Sequence, residues 1–289
     1  MKSNGLELER KMAALDAWLR GQGGVLIGFS GGVDSTFLAA MAVRALGRRA
    51  RAVTVDSAFM TRAEMRAAAE LARRIGIRRQ VVRVDVLADG RLTSNPPDRC
   101  YHCKKRVFAH LRRLARAQGI ACVCDGGNVD DAGDYRPGER AVHELGVRSP
   151  LKETGFTKDE IRAASRRLRL PTADKPALAC LASRVPYGTT ITAEGLAAVE
   201  RAEAALQRLG FRQCRVRLHG DVGRVEVPPA ELRRAFSRRA AVVAALQAAG
   251  LRYPALDLQG YRTGSLNEAL ARRRAQQPSM RRLLDGARD

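Results

Sequence analysis

The chain has 289 residues, of which 45% are hydrophobic, enough for one large domain with a real core and a second, smaller one. Its 52 Lys and Arg residues against 30 Asp and Glu give a net charge of +22, which would suit a polyanion such as tRNA. However, the excess is mostly arginine scattered over alanine-rich helical segments, and no basic stretch is interleaved with stacking aromatics, so nucleic acid is not the expected partner.

The sequence shows neither the pattern of a membrane-spanning helix nor that of a signal peptide. No run of about 18 uncharged apolar residues occurs, and residues 1–21 are predicted to form an amphipathic helix without the apolar centre of a signal peptide. We therefore expect a cytoplasmic protein with no membrane partner. The six cysteines of such a chain argue against a disulfide framework and for thiol, metal or cluster chemistry.

Short apolar strands alternate with helical segments through the first half of the chain. Strands are predicted at 25–30, 51–56, 79–85 and 120–126, and helices at 35–47, 61–75, 103–118 and 157–171. This alternation is typical of an α/β protein with a doubly wound parallel sheet, in which ligands bind at the carboxyl ends of the strands. The loops after residues 29, 56 and 125 fall at that edge.

The order of elements changes after an irregular stretch at 172–190. The pattern there predicts a small α+β unit, with helices at 192–209 and 229–249 and strands at 213–220, 223–228 and 253–260. We therefore expect two domains, at 1–175 and 176–289, the second ending in a basic tail from about residue 270.

A glycine-rich loop, Ser30-Gly31-Gly32-Val33-Asp34-Ser35, joins the first strand to the following helix. Unpaired N–H groups and the helix dipole favour an anion there, and two glycines let the backbone approach phosphate oxygens closely. The sequence contains no Walker A pattern. The alternative is a turn that only caps the helix.

The full hexapeptide resembles the PP-loop of the N-type ATP pyrophosphatases, which cleave ATP between the α and β phosphates. The phosphate-binding residues that the resemblance implies are Ser30, Gly31, Gly32 and Ser35. It also implies that Asp34 helps to place Mg²⁺ and that Asp56 and Ser57, after the second strand, contact adenosine. The class includes GMP and NAD synthetases, tRNA-lysidine synthetase, tRNA thiolases and queuosine-pathway enzymes, and the loop does not choose among them.

Three further motifs narrow the class: NPPDRCYHCK at 95–104, DGGNVDDAGDYRPG at 125–138 and KPALACLASRVPYG at 175–188. Together they closely resemble the LarE family, ATP-dependent sulfur transferases that make the nickel-pincer nucleotide cofactor. The resemblance continues through RVRLHG at 215–220 and GYRTGSLNE at 260–268, so it covers both expected domains. It implies that the substrate is a pyridinium mononucleotide whose two carboxylates become thiocarboxylates.

Such a reaction fits the residues physically. A carboxylate becomes a good electrophile once its oxygen has attacked the α-phosphate of ATP, and a sulfur nucleophile can then displace AMP. Because the substrate is anionic, Arg184, Arg215 and Arg217 are candidate clamps, although Arg215 and Arg217 could instead alternate on the solvent face of a strand. Asp125 and Asn128 could hold Mg²⁺ or the substrate through hard oxygen ligands.

Cys180 lies in the irregular stretch between Lys175 and Arg184, and cationic neighbours lower the pKa of a thiol. It resembles the sacrificial cysteine of the LarE family. In that mechanism the Cys180 thiolate attacks the acyl-adenylate, and elimination across its Cα–Cβ bond leaves dehydroalanine and a thiocarboxylated product. One protein molecule then donates one sulfur.

Cys100 and Cys103 offer another sulfur source. With Cys180 they resemble the cluster-binding pattern of some PP-loop tRNA thiolases and of a cluster-dependent branch of LarE-like proteins. Three ligands on a 4Fe–4S cluster leave one iron open to carry a sulfide. A zinc site is the remaining alternative, but its fourth ligand is not evident, although His102 and His219 exist. Cys122, Cys124 and Cys214 lie on predicted strands and are expected to be buried and inert.

Three competing functions stay open at this stage. A PP-loop tRNA thiolase would need a large basic face and an RNA-binding domain, and an ATP-dependent amide ligase would not need Cys180. A nucleotide sensor without enzymatic activity is the third. The LarE resemblance also implies a homo-oligomer.

Overall fold

The computed structural model describes residues 2–133, 137–176, 179–262 and 264–268, so the basic tail expected from about residue 270 lies outside the described residues. The chain forms two compact units. Unit 1 contains Met1–Leu92 and Asp98–Cys180, and unit 2 contains Thr93–Pro97 and Leu181–Asp289. This division falls a few residues beyond the boundary expected from the sequence.

No sequence pattern indicated that Thr93–Pro97 belongs to unit 2, and hydrogen bonds explain why it does. The Asn95 side-chain amide donates to Val185 O at 3.2 Å and to Pro186 O at 2.7 Å. Backbone bonds from Gly188 N to Asn95 O and from Ile191 N to Thr93 O continue this pairing. Asn95 is fully buried, so these bonds hold the short segment in the fold of unit 2.

A parallel sheet of four strands forms the centre of unit 1. Its strands are β1 Val25–Gly28, β2 Ala50–Asp56, β3 Arg78–Arg83 and β4 Cys122–Cys124, in the order β3-β2-β1-β4. The predicted α/β class with a doubly wound parallel sheet is thus confirmed. The order reverses between β1 and β4, and the carboxyl ends of strands at such a reversal form the usual ligand crevice.

Helices cover both faces of this sheet. They are α1 Lys2–Arg20, α2 Val33–Leu46, α3 Arg62–Ile75, α4 Gly90–Thr93, α5 Arg99–Ala117, α6 Gly138–Glu144, α7 Pro150–Glu153 and α8 Lys158–Arg167. Successive side chains of β1 point to opposite faces: Val25 and Ile27 pack in the cluster with α1, α2 and α8, whereas Leu26 packs in the cluster with α5. Because α2 is buried along most of its length, the loop that precedes it is held rigidly.

Two helix boundaries differ from the prediction in ways that affect the site. α5 begins at Arg99 rather than at residue 103, because the Asp98 carbonyl accepts from Tyr101 N and so starts the first turn earlier. Cys100 and Cys103 therefore both lie on the helix. α8 ends at Arg167, short of the predicted residue 171, and Leu170 N instead bonds to Ser165 O.

Unit 2 has a three-stranded sheet with helices. Its elements are α9 Ala193–Arg208, β5 Arg215–His219, β6 Val222–Glu226, α10 Leu232–Ser237, α11 Arg239–Ala248 and β7 Tyr253–Leu256. The strand order is β5-β6-β7, antiparallel between β5 and β6 and parallel between β6 and β7. The single helix predicted at 229–249 is instead a 3-10 turn, Pro229–Glu231, followed by α10 and α11.

Within the described ranges, none of the helices combines the length and the apolar character that crossing a bilayer requires.

Candidate active site

The glycine-rich loop lies between β1 and α2, at the carboxyl edge of the sheet. Gly31 adopts a positive φ of 70°, and a Cβ at this position would lie 3.1 Å from the backbone of Ala68. The Ser30 and Ser35 hydroxyl oxygens are 3.2 Å apart, and Gly32 N donates to Ser30 Oγ at 3.3 Å. No side chain of the described residues caps α2 at Gly32, so its first N–H groups suit an anion.

Asp34, in the first turn of α2, is paired with a lysine that the sequence did not indicate. Lys158 Nζ donates to the two Asp34 carboxylate oxygens at 2.7 and 2.5 Å. Lys158 is the first residue of α8, whose start is fixed by a capping box between Thr157 and Glu160. The residues around Lys158 predict only a helix, because no local pattern shows that a residue so far along the chain returns to the loop.

A second lysine also contacts the loop. Lys175 Nζ donates to Gly31 O at 3.0 Å, and burial lowers the pKa of this lysine. The sequence had suggested Lys175 and Arg184 as the cations beside Cys180. Lys175 binds the loop backbone and the Arg184 guanidinium donates to Glu203 at 2.8 Å, while their effect on Cys180 stays a prediction.

The end of β2 carries Asp56 and Ser57. The Asp56 carboxylate pairs with Arg62 at 2.7 Å and, more distantly, with Arg83 at 3.7 Å. Ser57 Oγ accepts from Phe59 N at 3.4 Å, which closes a short turn after the strand. Both residues therefore lie at the carboxyl edge of the sheet, as predicted, while their adenosine contact stays a prediction.

Asp125 follows β4 and is buried beside the glycine-rich loop. Its Oδ1 accepts from Ser149 Oγ at 2.6 Å and from Gly127 N at 3.0 Å, and its Oδ2 lies 3.5 Å from Lys104 Nζ. The intervening Gly126 packs directly on the loop, since a Cβ there would lie 3.1 Å from Ser35 N. The carboxyl ends of β1 and β4 therefore contribute to one site.

Asn128 is buried in the turn that follows. Its Oδ1 accepts from Asp130 N at 3.0 Å, and its own N donates to Asp131 Oδ2 at 3.0 Å. Asp130 also accepts from Lys158 N at 2.7 Å. These bonds tie the turn to the start of α8.

A cavity of about 830 Å³ opens beside Asp125, which is ample for a nucleotide-sized ligand. It is lined by Lys104, Asp125, Gly127, Asp131, Glu139, Arg140, Val142, His143, Gly146, Val147, Arg148, Ser149, Lys152 and Glu153. Its charged side chains are of both signs, and several pair with each other, such as Lys152 with Glu139 at 3.2 Å.

The three cysteines predicted to act together lie within electrostatic range of one another. Cys100 and Cys103 lie one turn apart on α5 and are half-buried, whereas Cys180 is exposed. Burial, and after it the Cys180 thiol, raises the pKa of Cys100 and raises the pKa of Cys103 to about 12. Cys180 is therefore close enough to interact electrostatically with both.

The structure describes no formed metal site. Among the described residues, no group of three or more His, Cys, Asp or Glu side chains is arranged to hold a metal ion. Cys122 and Cys124, with their sulfurs 3.6 Å apart, and Cys214 are buried, as expected. Burial raises the pKa of Cys214 to about 12, which keeps its thiol protonated.

The three arginines proposed as clamps all lie in the interior of unit 2. Arg184 binds Glu203 through two contacts at 2.8 and 2.9 Å, and Arg217 binds Glu226 at 3.0 and 2.9 Å. Arg215 and Arg217 are only 9% and 7% exposed, so the alternative that they line the solvent face of a strand is wrong.

Arg215 has different surroundings. Its Nη1 donates to Cys214 O at 2.8 Å, and its guanidinium lies 5.4 Å from the centre of the Tyr261 ring. Burial and, after it, the charge of Arg184 lower the pKa of Arg215. Arg184 and Arg217 pair with Glu203 and Glu226, and the sequence did not predict these partners. The only indication was that each glutamate is a carboxylate within an otherwise apolar pattern.

Comparisons with known proteins identify several relatives of this chain. Residues 13–94, which include the glycine-rich loop and β2, match the NAD synthase family. The chain is 42% identical over 267 residues to an uncharacterized protein of Synechocystis, covering 92% of this chain and 100% of that protein. It is 24% identical over 239 residues to an uncharacterized protein of Methanocaldococcus jannaschii, covering 83% of this chain and 91% of that one.

A further relative carries a functional name. The chain is 40% identical over 266 residues to the pyridinium-3,5-bisthiocarboxylic acid mononucleotide synthase of Lactiplantibacillus plantarum, covering 92% of this chain and 96% of that enzyme. Similarity at this level along nearly the full length of both proteins extends through both units. The chain therefore belongs to the LarE family of ATP-using PP-loop proteins.

Proposed function

We propose that the protein is an ATP-dependent sulfur transferase that converts the carboxylates of a pyridinium dicarboxylate mononucleotide to thiocarboxylates. Each carboxylate is first activated as an acyl-adenylate, with release of pyrophosphate, and AMP leaves when sulfur is transferred. The name of the Lactiplantibacillus plantarum relative describes the synthesis of such a bisthiocarboxylated nucleotide, which supports this assignment.

One observation carries the proposal: a series of contacts within unit 1 links the glycine-rich loop to α5, the helix that carries Cys100 and Cys103. Gly126 packs on Asp34 and Ser35 of the loop, and the adjacent Asp125 contacts Lys104. Lys104 directly follows Cys103 on α5, and Cys180 interacts with that cysteine. An acyl-adenylate formed at the loop would thus arise close to the thiols that supply sulfur.

In the adenylation step, the hydroxyls of Ser30 and Ser35 and the amides of Gly31 and Gly32 would bind the pyrophosphate. A substrate carboxylate oxygen attacks the α-phosphorus, the bond to the bridging oxygen breaks, and its electron pair leaves with pyrophosphate. Asp34 and Asp125 fit Mg²⁺, since both offer carboxylate oxygens at the carboxyl edge of the sheet. Bound there, the ion would neutralise phosphate charge.

Arg184, Arg215 and Arg217 are assigned to the anionic groups of the substrate. Arg184 and Arg217 are already neutralised by buried glutamates, which fixes their orientation but leaves them less net charge to offer. Arg215, whose guanidinium lies 5.4 Å from the centre of the Tyr261 ring, is the third arginine that we assign to these anionic groups.

Two sulfur sources follow from the cysteines, and both use Cys180. If Cys180 is sacrificial, its sulfur attacks the acyl carbon and AMP departs. β-Elimination then removes the Cα proton and breaks the Cβ–Sγ bond, whose electron pair leaves with the sulfur of the thiocarboxylate product, and dehydroalanine remains in the protein. Alternatively, Cys100, Cys103 and Cys180 would hold a 4Fe–4S cluster, which when bound would supply sulfide for repeated turnover. The convergence of the three thiols favours the cluster, since a sacrificial mechanism gives Cys100 and Cys103 no role.

Cluster binding would require a change at these thiols. The raised pKa values of Cys100 and Cys103 mean that both are protonated at neutral pH, and metal ligation would release those protons. The side chains would also have to draw closer together, because they form no metal-binding group in the described structure.

Product analysis tests the proposed reaction. Anaerobically purified protein, with ATP, Mg²⁺ and the dicarboxylated pyridinium nucleotide, should release AMP and pyrophosphate and yield thiocarboxylate. Asp34→Asn should remove most of this activity without unfolding the chain. ADP as the nucleotide product would contradict the assignment, and thiolation of tRNA instead of the nucleotide would favour the tRNA thiolase alternative.

The sulfur source is decided by iron content and protein mass. Cluster-dependent protein will be brown, hold about four irons per chain, and lose iron when Cys100, Cys103 or Cys180 becomes Ala. Sacrificial protein will be colourless, tolerate Cys100→Ala, and become lighter by the mass of hydrogen sulfide after one transfer. Activity in iron-free Cys180→Ala protein would contradict both.

A further inference from the structure

We propose that Lys158 is a positioning residue that exchanges partners during ATP binding: its ammonium neutralises Asp34 in the empty site and moves to the ATP phosphates when Mg²⁺ and nucleotide arrive. This inference rests on ATP use as part of the proposed function. It adds a role to a residue outside the sequence motifs of the loop.

The contacts between Lys158 and Asp34 support the first part of the proposal, that Lys158 neutralises Asp34 in the empty site. Lys158 Nζ contacts both Asp34 oxygens, at 2.7 and 2.5 Å, and the two side chains are only 29% and 23% exposed. Asp34 lies in the first turn of α2, directly at the proposed phosphate site. Without Lys158, the loop would present an uncompensated carboxylate to the highly charged triphosphate, and this repulsion would weaken nucleotide binding.

Competition for the Asp34 carboxylate supports the second part of the proposal, that Lys158 moves when Mg²⁺ and ATP bind. A metal ion bound by Asp34 competes with the ammonium that is bonded to the same two oxygens, since two cations repel each other at one carboxylate, so Mg²⁺ binding there favours release of Lys158. Phosphate oxygens at the loop are the nearest new acceptors that the bound nucleotide would bring. Moving there leaves every charge in the site with an opposite partner.

The attachment of Lys158 allows the side chain to move while its backbone stays fixed. Lys158 N donates to Asp130 Oδ2 at 2.7 Å, and the capping box of Thr157 and Glu160 holds the start of α8. A lysine side chain has several rotatable bonds, so its ammonium can change partners without a change in the fold.

A second ion pair, in the same first turn of α8, provides a control for Lys158. Lys11 Nζ contacts both oxygens of Glu160 at 2.8 Å and also donates to Gly155 O at 2.8 Å. Its side chain and that of Glu160 are 20% and 25% exposed, close to the values for Lys158 and Asp34. Lys11→Met is therefore a matched control that removes a similar pair from the first turn of α8 without touching the loop.

Two binding measurements on the full chain test the exchange. Calorimetry gives the affinity for Mg²⁺ with α,β-methylene-ATP, which resists cleavage at the reacting bond, and electron paramagnetic resonance gives the affinity of nucleotide-free protein for Mn²⁺. In Lys158→Met, we expect nucleotide affinity to fall about 10- to 150-fold, as for loss of a charge-assisted hydrogen bond. Mn²⁺ should bind more tightly than in the wild type, because Asp34 no longer has a competing cation.

The control variants define the alternatives. Lys11→Met should change neither affinity, and Lys158→Arg should restore part of the nucleotide affinity. Unchanged nucleotide affinity in Lys158→Met would overturn the inference, as would weaker Mn²⁺ binding or equal losses in Lys11→Met. If the wild type bound no nucleotide, the proposed function would fail together with this inference, whereas normal wild-type binding isolates the role of Lys158.

Discussion

Glu226→Gln is expected to destabilise unit 2 by about 3–5 kcal/mol, as for breaking a buried ion pair. Glu226 is 1% exposed and accepts from Arg217 at 3.0 and 2.9 Å, and Arg224 lies 3.2 Å from the same carboxylate. Replacing the carboxylate by an amide leaves the Arg217 charge buried with no opposite charge on Glu226. We expect the lower end of the range, because the amide oxygen still accepts one hydrogen bond.

Glu231→Gln is the matched control. Glu231 pairs with Arg234 at 3.3 Å in the same unit, but the two side chains are 29% and 44% exposed, so its loss should cost less than about 1 kcal/mol. The single tryptophan, Trp18, lies on α1 of unit 1 and does not report on unit 2. Hydrogen exchange of the β5 and β6 amides, together with urea unfolding followed by circular dichroism, is therefore the appropriate assay.

A double variant separates charge burial from loss of contacts. Arg217→Met with Glu226→Leu should cost less than Glu226→Gln alone, because it removes both members of the pair and leaves neither charge uncompensated. A loss below about 1 kcal/mol for Glu226→Gln, or a loss equal to that of Glu231→Gln, would refute the reasoning.

Three further predictions concern the site. Arg215→Ala should weaken binding of the pyridinium nucleotide by about 1.5–3 kcal/mol in calorimetry while leaving ATP affinity nearly unchanged, and equal losses for both ligands would indicate a folding role. Gly31→Ala should reduce the affinity for ATP while the fold stays intact, because Gly31 has a φ of 70° and a Cβ there would lie 3.1 Å from Ala68 Cα. Unchanged ATP affinity would contradict the assignment of this loop to ATP binding. Iodoacetamide at pH 8 should label exposed Cys180 first and Cys103 far more slowly, because a pKa of about 12 leaves only about one Cys103 thiol in ten thousand ionised. Peptide mapping should show that the labelling of Cys103 becomes faster as the pH rises. Equal labelling rates of the two cysteines at pH 8 would contradict the burial of Cys103.

The fold and the location of the site were largely predictable from the sequence. Strand and helix periodicity predicted the parallel sheet, and the position of the glycine-rich loop after the first strand placed the nucleotide site at its carboxyl edge. A resemblance to cluster-binding PP-loop proteins suggested that Cys100, Cys103 and Cys180 act together, and the Cys180 thiol does contribute to the raised pKa of Cys100 and of Cys103, while their joint role stays a prediction.

The polar partners of the site could not be predicted, for a physical reason. The contacts of Lys158 with Asp34 and of Lys175 with Gly31 join segments that are distant in the chain, and no local pattern encodes such pairs. Similarly, alternation on β5 predicts that Arg215 and Arg217 share one face, but not that this face is buried. Burial of Arg217 is favourable because Glu226 on β6 neutralises its charge and because Ser183 O and Ser265 Oγ accept further hydrogen bonds from it.

Isotope transfer tests the central claim most directly. Substrate labelled with ¹⁸O in its carboxylates should give AMP that carries one ¹⁸O on its phosphate, because the carboxylate oxygen attacks the α-phosphorus and stays there when sulfur displaces AMP. The thiocarboxylate formed should lose that same oxygen. AMP without ¹⁸O, alongside a thiocarboxylated product, would contradict activation by adenylation and with it the proposed mechanism.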